Sequence, residues 1–157
     1  MPLQLKRVLS QFLLPLTLLA SLVSCRDRLR EAPPRFPFAS VEDACGPADG
    51  PALEFYFTQK LAECGKVEEP VILIEIDENL PQSAPRDYTI TSGQSAVMAQ
   101  RCMSRGQCEI ATSGTLHLAK FNHGSGASGE YELHFKDGTV EKASFDARWC
   151  VTQLLCG

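Results

Sequence analysis

The chain has 157 residues, 44% of them hydrophobic, with a formal net charge of −4 and seven cysteines. That length suits one domain with a leader rather than two domains, and it is long enough to bury a true core. The acidic balance, with no Lys/Arg run beyond the N-terminal 35 residues, excludes a general nucleic-acid-binding surface.

In chain order, Lys6 and Arg7 precede an apolar stretch from Phe12 to Val23 that is broken by Pro15, Thr17 and Ser21. This is the charged-then-hydrophobic order of an export signal. The run is about a dozen residues, short of the roughly 20 that a membrane-spanning helix needs, so a permanent transmembrane anchor is not expected. It ends at Leu22-Val23-Ser24-Cys25, followed at once by Arg26, Asp27 and Arg28. This border resembles the lipobox of bacterial lipoproteins. The resemblance implies a signal peptide over 1–24, cleavage before Cys25, diacylglycerol on the Cys25 thiol, and a further acyl chain such as palmitate on the new amino group. Two or three chains, at about 0.8 kcal/mol per buried methylene, make a stable membrane anchor. Arg26 stands where some enteric lipoproteins carry an inner-membrane retention aspartate, so the resemblance favours an outer membrane where the organism has one. Ordinary secretion would instead leave Cys25 as an exposed thiol.

Cysteine counting supports the lipid anchor. Setting Cys25 aside leaves Cys45, Cys64, Cys102, Cys108, Cys150 and Cys156, an even number that suits three disulfides in an exported domain. Removing Lys6 and Arg7 with the signal leaves 13 basic against 19 acidic residues, a mature charge of −6.

Residues 26–40, RDRLREAPPRFPFAS, hold four arginines, two acids and three prolines. They suggest an extended tether, on the order of 45 Å long at roughly 3.1 Å per residue, which with Cys25 makes an anchor-and-tether segment over 25–40. The arginines either lie against anionic headgroups or simply keep the tether solvated; Phe36 and Phe38 are apolar enough to dock on the domain instead.

Residues 41–157 form the predicted β-domain. In "ALEFYFT" (52–58) Leu53, Phe55 and Phe57 alternate with Glu54, Tyr56 and Thr58, the period of a half-buried strand. "VILIEID" (71–77) is apolar on both faces before it alternates, as in the middle of a sheet. Further strands are expected at 86–91, 95–102, 109–121, 129–136 and 139–149, with a helix at 95–103 as the main local alternative. Short strands punctuated by Gly, Pro, Asn and Asp predict an all-β, antiparallel sandwich or small barrel stabilised by disulfides. In the last hairpin Tyr131, Leu133 and Phe135 share a face with Phe145, Ala147 and Trp149 only if the loop is the three residues Lys136-Asp137-Gly138, with Gly138 left-handed and Val140 outward. The stretch "SGEYELHFKDGTVEKASFDARWC" is also similar to the closing hairpin of small uncharacterised bacterial envelope β-proteins, a resemblance that carries no chemistry.

Candidate sites are few. "GSGASG" (124–129) matches the dinucleotide fingerprint by letter, but that motif needs a following helix to receive the pyrophosphate, and strands are expected on both sides. If Leu116 and Leu118 face inward with Leu133 and Phe135, one register sets His117 opposite His134, where Glu132 or His123 could complete a zinc site. Two exposed histidines are ordinarily only solvated, so they are weak metal candidates. Cys102 with Cys108, and Cys45 with Cys64, are the suggested disulfides. No nucleophile elbow, metalloprotease helix or phosphate loop is present, so no catalytic residue, cofactor or enzyme activity is expected. The sequence therefore suggests a membrane-tethered envelope lipoprotein acting as a protein-interaction or structural module with an envelope protein partner. The alternatives are a binder of a small apolar or glycan ligand and, further off, a small hydrolase or metal-binding protein.

Overall fold

The computed structural model describes residues 35–47, 49–77, 80–93, 96–104, 106–152 and 156, so Cys25 and the expected signal segment 1–24 lie outside the described residues. The strands are β1 (Phe38–Cys45), β2 (Pro51–Thr58), β3 (Val71–Ile76), β4 (Arg86–Thr91), β5 (Val97–Ser104), β6 (Gln107–Ile110), β7 (Ser113–Asn122), β8 (Gly126–His134) and β9 (Val140–Cys150). They form one sheet in the order β4-β7-β8-β9-β1-β2-β3-β5-β6, curled into a half-barrel, and the described residues contain no helix. The 95–103 ambiguity resolves as a strand.

The sheet is mixed, which corrects the antiparallel expectation. β1 runs parallel to β9, with Val41 beside Trp149, and antiparallel to β2. The tether boundary also moves. Phe36 is buried in the core and β1 starts at Phe38, so the last part of the expected 25–40 tether belongs to the domain. The prolines at 33, 34 and 37 had masked an apolar anchor and a strand with little alternation.

Inward residues follow the period-two reading. Leu53, Phe55 and Phe57 are at most 1% exposed, and Ile72, Ile74 and Ile76 are fully buried beside them. Each such side chain contributes roughly 1.5–3 kcal/mol by leaving water. Curvature brings strands that are not neighbours into contact: Phe57 of β2 lies 4.5 Å from Tyr131 of β8 and 5.2 Å from Phe145 of β9, centroid to centroid.

The predicted strand 109–121 is part of a longer run, 107–122, that changes neighbours midway. Ala111 N–H donates to Ala99 of β5, and Thr112 N–H donates to His134 of β8. The same run therefore carries β6, one edge of the sheet, and β7, next to the other edge strand β4. A bulge between Leu118 and Lys120 then shifts the parity, so that Leu118 and Phe121 both pack toward the core.

The β8–β9 hairpin has the three-residue loop that the apolar pattern requires. His134 pairs with Val140, Gly138 has φ of +83°, and Val140 is exposed. At Gly129 a Cβ would sit 1.9 Å from the His117 carbonyl oxygen, so only glycine lets β8 approach β7 this closely.

Three disulfides staple the sheet: Cys45–Cys156, Cys64–Cys150 and Cys102–Cys108. The last is as expected, whereas the suggested Cys45–Cys64 pair is replaced. The parallel β1–β9 contact carries Cys45 and Cys150 on neighbouring strands, and each bonds a cysteine from a loop or tail rather than the nearest one in sequence.

Candidate functional site

Between β2 and β3, residues 59–70 form a loop that carries no regular pairing of its own. It turns at Glu63–Lys66: Lys66 N–H donates to the Glu63 carbonyl at 3.1 Å, and Gly65 takes φ of +74° at the third position, where a type II turn requires it. Lys66 Nζ also meets Glu63 at 2.7 Å. Two contacts hold the loop against β9, the Cys64–Cys150 disulfide and a hydrogen bond from the Arg148 guanidinium to the Ala62 carbonyl. Cys150 is thereby buried, although its position in β9, one residue from the core-packed Trp149, points away from the concave face of the half-barrel.

Around this staple the chain exposes aliphatic surface. Leu61 is 66% exposed, Val67 37% and Val151 83%, and each lies within three residues of Cys64 or Cys150. Acidic and basic residues are interleaved among them: Lys60, Glu63, Lys66, Glu68 and Glu69. The loop lines a cavity of about 490 Å3 that reaches Thr58 and Pro70. A disulfide-pinned loop presents its apolar residues with little ordering entropy left to lose, which favours recognition.

A second concavity, of about 640 Å3, opens where β3 ends and β4 begins, between Pro51, Asp77, Leu80, Gln82, Ser83 and Arg86. Its polar lining and the position of the Arg86 guanidinium over the Tyr88 ring, 5.3 Å from the centroid, suit hydrogen bonding to a polar ligand.

Two charge clusters went unnoticed in the sequence. Arg101 points inward from β5, buried, with Nη2 at 2.7 Å from Glu109 and 3.0 Å from Asp137, Nη1 at 3.6 Å from Glu141, and the guanidinium 4.2 Å from the Phe135 centroid. Burial alone would lower the Arg101 pKa, but the hydrogen bonds to Glu109 and Asp137 outweigh it and raise it. Asp137 is held down to about 2 by hydrogen bonds from Thr139 and then by Arg101. On the outer face, Glu42 of β1 lies opposite Glu54 of β2, which lies opposite Glu75 of β3. Burial, a hydrogen bond with Asp77, and the charges of Asp77 and Glu54 push Glu75 up to about 7, while burial and Glu54 raise Glu42. Burial and the hydroxyl's bond to Glu54 push Tyr56 upward as well. Strand parity could have signalled the row; nothing local in sequence places Asp137 and Glu141 beside Arg101.

The sequence-derived metal candidates come apart. His117 pairs with Glu130 and His134 with Ser113, so the two histidines share a face but stand four residues out of register. Each imidazole has its own carboxylate instead: His117 with Asp87 at 2.5 Å, His134 with Glu132 at 2.9 Å and His123 with Asp43 at 2.9 Å. His123 also packs against Trp149, with centroids 4.5 Å apart and the rings inclined at 57°. The fingerprint at 124–129 enters strand β8 directly, without the helix that a dinucleotide site needs.

Comparison of the chain with protein-family models, with curated proteins and with solved structures finds no match in any of the three.

Proposed function

We propose that the protein is a lipid-anchored envelope lipoprotein, attached through Cys25, whose half-barrel is a small barrel completed by the run 107–122 and acts as a protein-interaction module through loop 59–70. The observation that carries this reading is the exposure of three aliphatic side chains, Leu61, Val67 and Val151, each within three residues in sequence of a cysteine of the Cys64–Cys150 staple. Apolar surface on a covalently fixed loop loses little entropy on binding, and exposed apolar patches mark contact sites. The arginine-rich segment 26–30 supplies reach or headgroup contact between anchor and domain.

The test is photo-cross-linking in intact cells from a benzophenone amino acid at position 61, followed by mass spectrometry. One dominant protein partner, lost in a Leu61→Asp/Val67→Asp chain that still folds, is the expected result. Background labelling alone would remove the interaction reading. Cys25→Ala should leave unprocessed precursor and abolish incorporation of labelled fatty acid; unchanged labelling would remove the lipid anchor.

The polar concavity at Asp77 and Arg86 favours a second reading, a binder of a small glycan-like ligand. Glycan-array binding that falls with Gln82→Ala or Arg86→Ala, in a chain without a protein partner, would put this reading first.

A further inference from the structure

The β5–β6 hairpin carries Cys102 and Cys108 directly opposite one another, and their sulfurs lie beside a third ligand-type group. A Glu69 carboxylate oxygen and the two Sγ atoms are all within 4.8 Å of one another. Glu69 is the last residue but one of loop 59–70, and Val71, two residues on, pairs with Cys102, so the start of β3 brings Glu69 beside the two sulfurs. Among the described residues no other three His, Cys, Asp or Glu groups converge in this way.

Contacts other than the disulfide also hold these strands together. On one side of it Arg101 bridges to Glu109 at 2.7 Å, and on the other Ser104 Oγ meets Gln107 Oε1 at 2.8 Å. Backbone pairing continues on both sides of the cysteines, at Arg101–Glu109 and at Ser104–Gln107. A chain whose Cys102 and Cys108 are still thiols therefore presents both sulfurs to the same point in space. Cys108 and Glu69 are exposed, which gives an ion a path in, while Cys102 is buried beneath them.

We propose that Cys102, Cys108 and Glu69 form a redox-gated site for a thiophilic divalent cation such as Zn2+, filled in the dithiol state and emptied when the disulfide closes. In a tetrahedral zinc site two thiolates at about 2.3 Å from the metal stand roughly 3.8 Å apart, which opposed cysteines on adjacent strands can reach, and a carboxylate is an accepted third ligand with water as the fourth. Filling the site releases two protons, one from each thiol, as Zn2+ bonds both sulfurs. Closing it breaks both zinc–sulfur bonds and forms the sulfur–sulfur bond. The two electrons pass to a disulfide-bearing oxidant, which takes up two protons and becomes a dithiol. The ion leaves with its charge unchanged. Every newly made chain passes through the dithiol state, so the site exists before the fold is locked. A bound ion delays closure of this one bridge, because each sulfur's nucleophilic lone pair is engaged.

The experiment uses the full chain under graded dithiothreitol, with the open disulfide identified by alkylation and mass mapping, and Zn2+ alone as the probe in a chromogenic competition titration. Chains open at Cys102–Cys108 should bind one more Zn2+ than fully oxidised chains. The extra equivalent should be absent from a Cys102→Ser/Cys108→Ser chain. It should bind on the order of tenfold or more weakly in Glu69→Gln, the scale of loss that even a partner outside the ligand shell causes. Zn2+ should also slow re-oxidation of this pair by glutathione disulfide in the wild-type chain and not in Glu69→Gln. Equal Zn2+ binding by the open wild-type chain and by Cys102→Ser/Cys108→Ser would overturn the site. Full affinity in Glu69→Gln would overturn its geometry, and a re-oxidation rate indifferent to Zn2+ would overturn the gating.

Discussion

Glu109, Asp137 and Glu141 gather around a buried arginine at one end of the half-barrel. Glu42, Glu54 and Glu75 stand in a row on its outer face, with no cation at salt-bridge distance among the described residues. Asp137 in the first and Glu75 in the second are shifted in opposite directions. Thr139 and Arg101 hold Asp137 at about 2, while burial and neighbouring carboxylates push Glu75 up to about 7. The contrast shows what a sheet tolerates on each side. An inward guanidinium must be matched by anions because water cannot reach it. An outward row of like charges is tolerated because solvent and proton uptake relieve it, at a cost for charges directly opposite.

The largest effect should come from removing the cation. Arg101→Met leaves Glu109 and Asp137 without their cation, and Glu141 with only Arg35 at 3.2 Å, and should cost about 3–5 kcal/mol, read from the urea midpoint. Adding Glu109→Gln, Asp137→Asn and Glu141→Gln should restore most of the loss. If it does not, packing of the guanidinium on Phe135, rather than charge, was what Arg101 supplied. Next comes the staple of the outer face: Cys64→Ser/Cys150→Ser should cost about 2–4 kcal/mol and open residues 59–70 to limited proteolysis. A loop that stays resistant would show that the Arg148 hydrogen bond to Ala62 suffices.

Acidification separates the clusters more finely. Glu75 has its folded pKa raised, so its penalty is complete above about 7 and fades as pH falls toward its ordinary value of 4.5. Asp137 has its folded pKa lowered, so its contribution is complete above its ordinary 3.8 and is lost as pH falls through about 2. Thermal unfolding should therefore rise from pH 8 to pH 5 and fall below pH 4. Glu75→Gln should flatten the upper limb and Asp137→Asn the lower; a curve insensitive to both would sink the assignment. The smallest effect is expected from placing a cation in the row. Glu42→Lys should gain about 0.2–1 kcal/mol at pH 8, measured by denaturation, with less gain at pH 5.

What was legible in the sequence was local. Alternation along 52–58 and 129–149 gave the inward residues, and the parity of Tyr131, Leu133 and Phe135 against Phe145 and Ala147 required the three-residue loop that is found. The Cys102–Cys108 bridge was legible for the same reason, since only five residues separate its ends. What escaped was set by distant neighbours. β1 lacks clear alternation, and its existence rests on Phe57, Leu53 and Trp149 flanking it from strands elsewhere in the chain. The change of partner at Ala111–Thr112 leaves no Gly or Pro to mark it. Cys45 and Cys64 bond cysteines 111 and 86 residues away, a choice fixed by the parallel β1–β9 contact rather than by spacing. The candidate loop escaped because Leu61 and Val67 fall in a stretch without periodicity, and only the fold shows that each is exposed.

The parallel contact between the first and last strands sets the order in which a growing chain can mature. β1 gains its second neighbour only when β9 has been made, and Cys45 must stay unpaired until Cys156 follows. A chain that emerges N-terminus first therefore holds an open-edged sheet until its last strand arrives, the state in which strands find wrong neighbours. Keeping that edge unoccupied until the final strand arrives falls to whatever escorts the nascent chain.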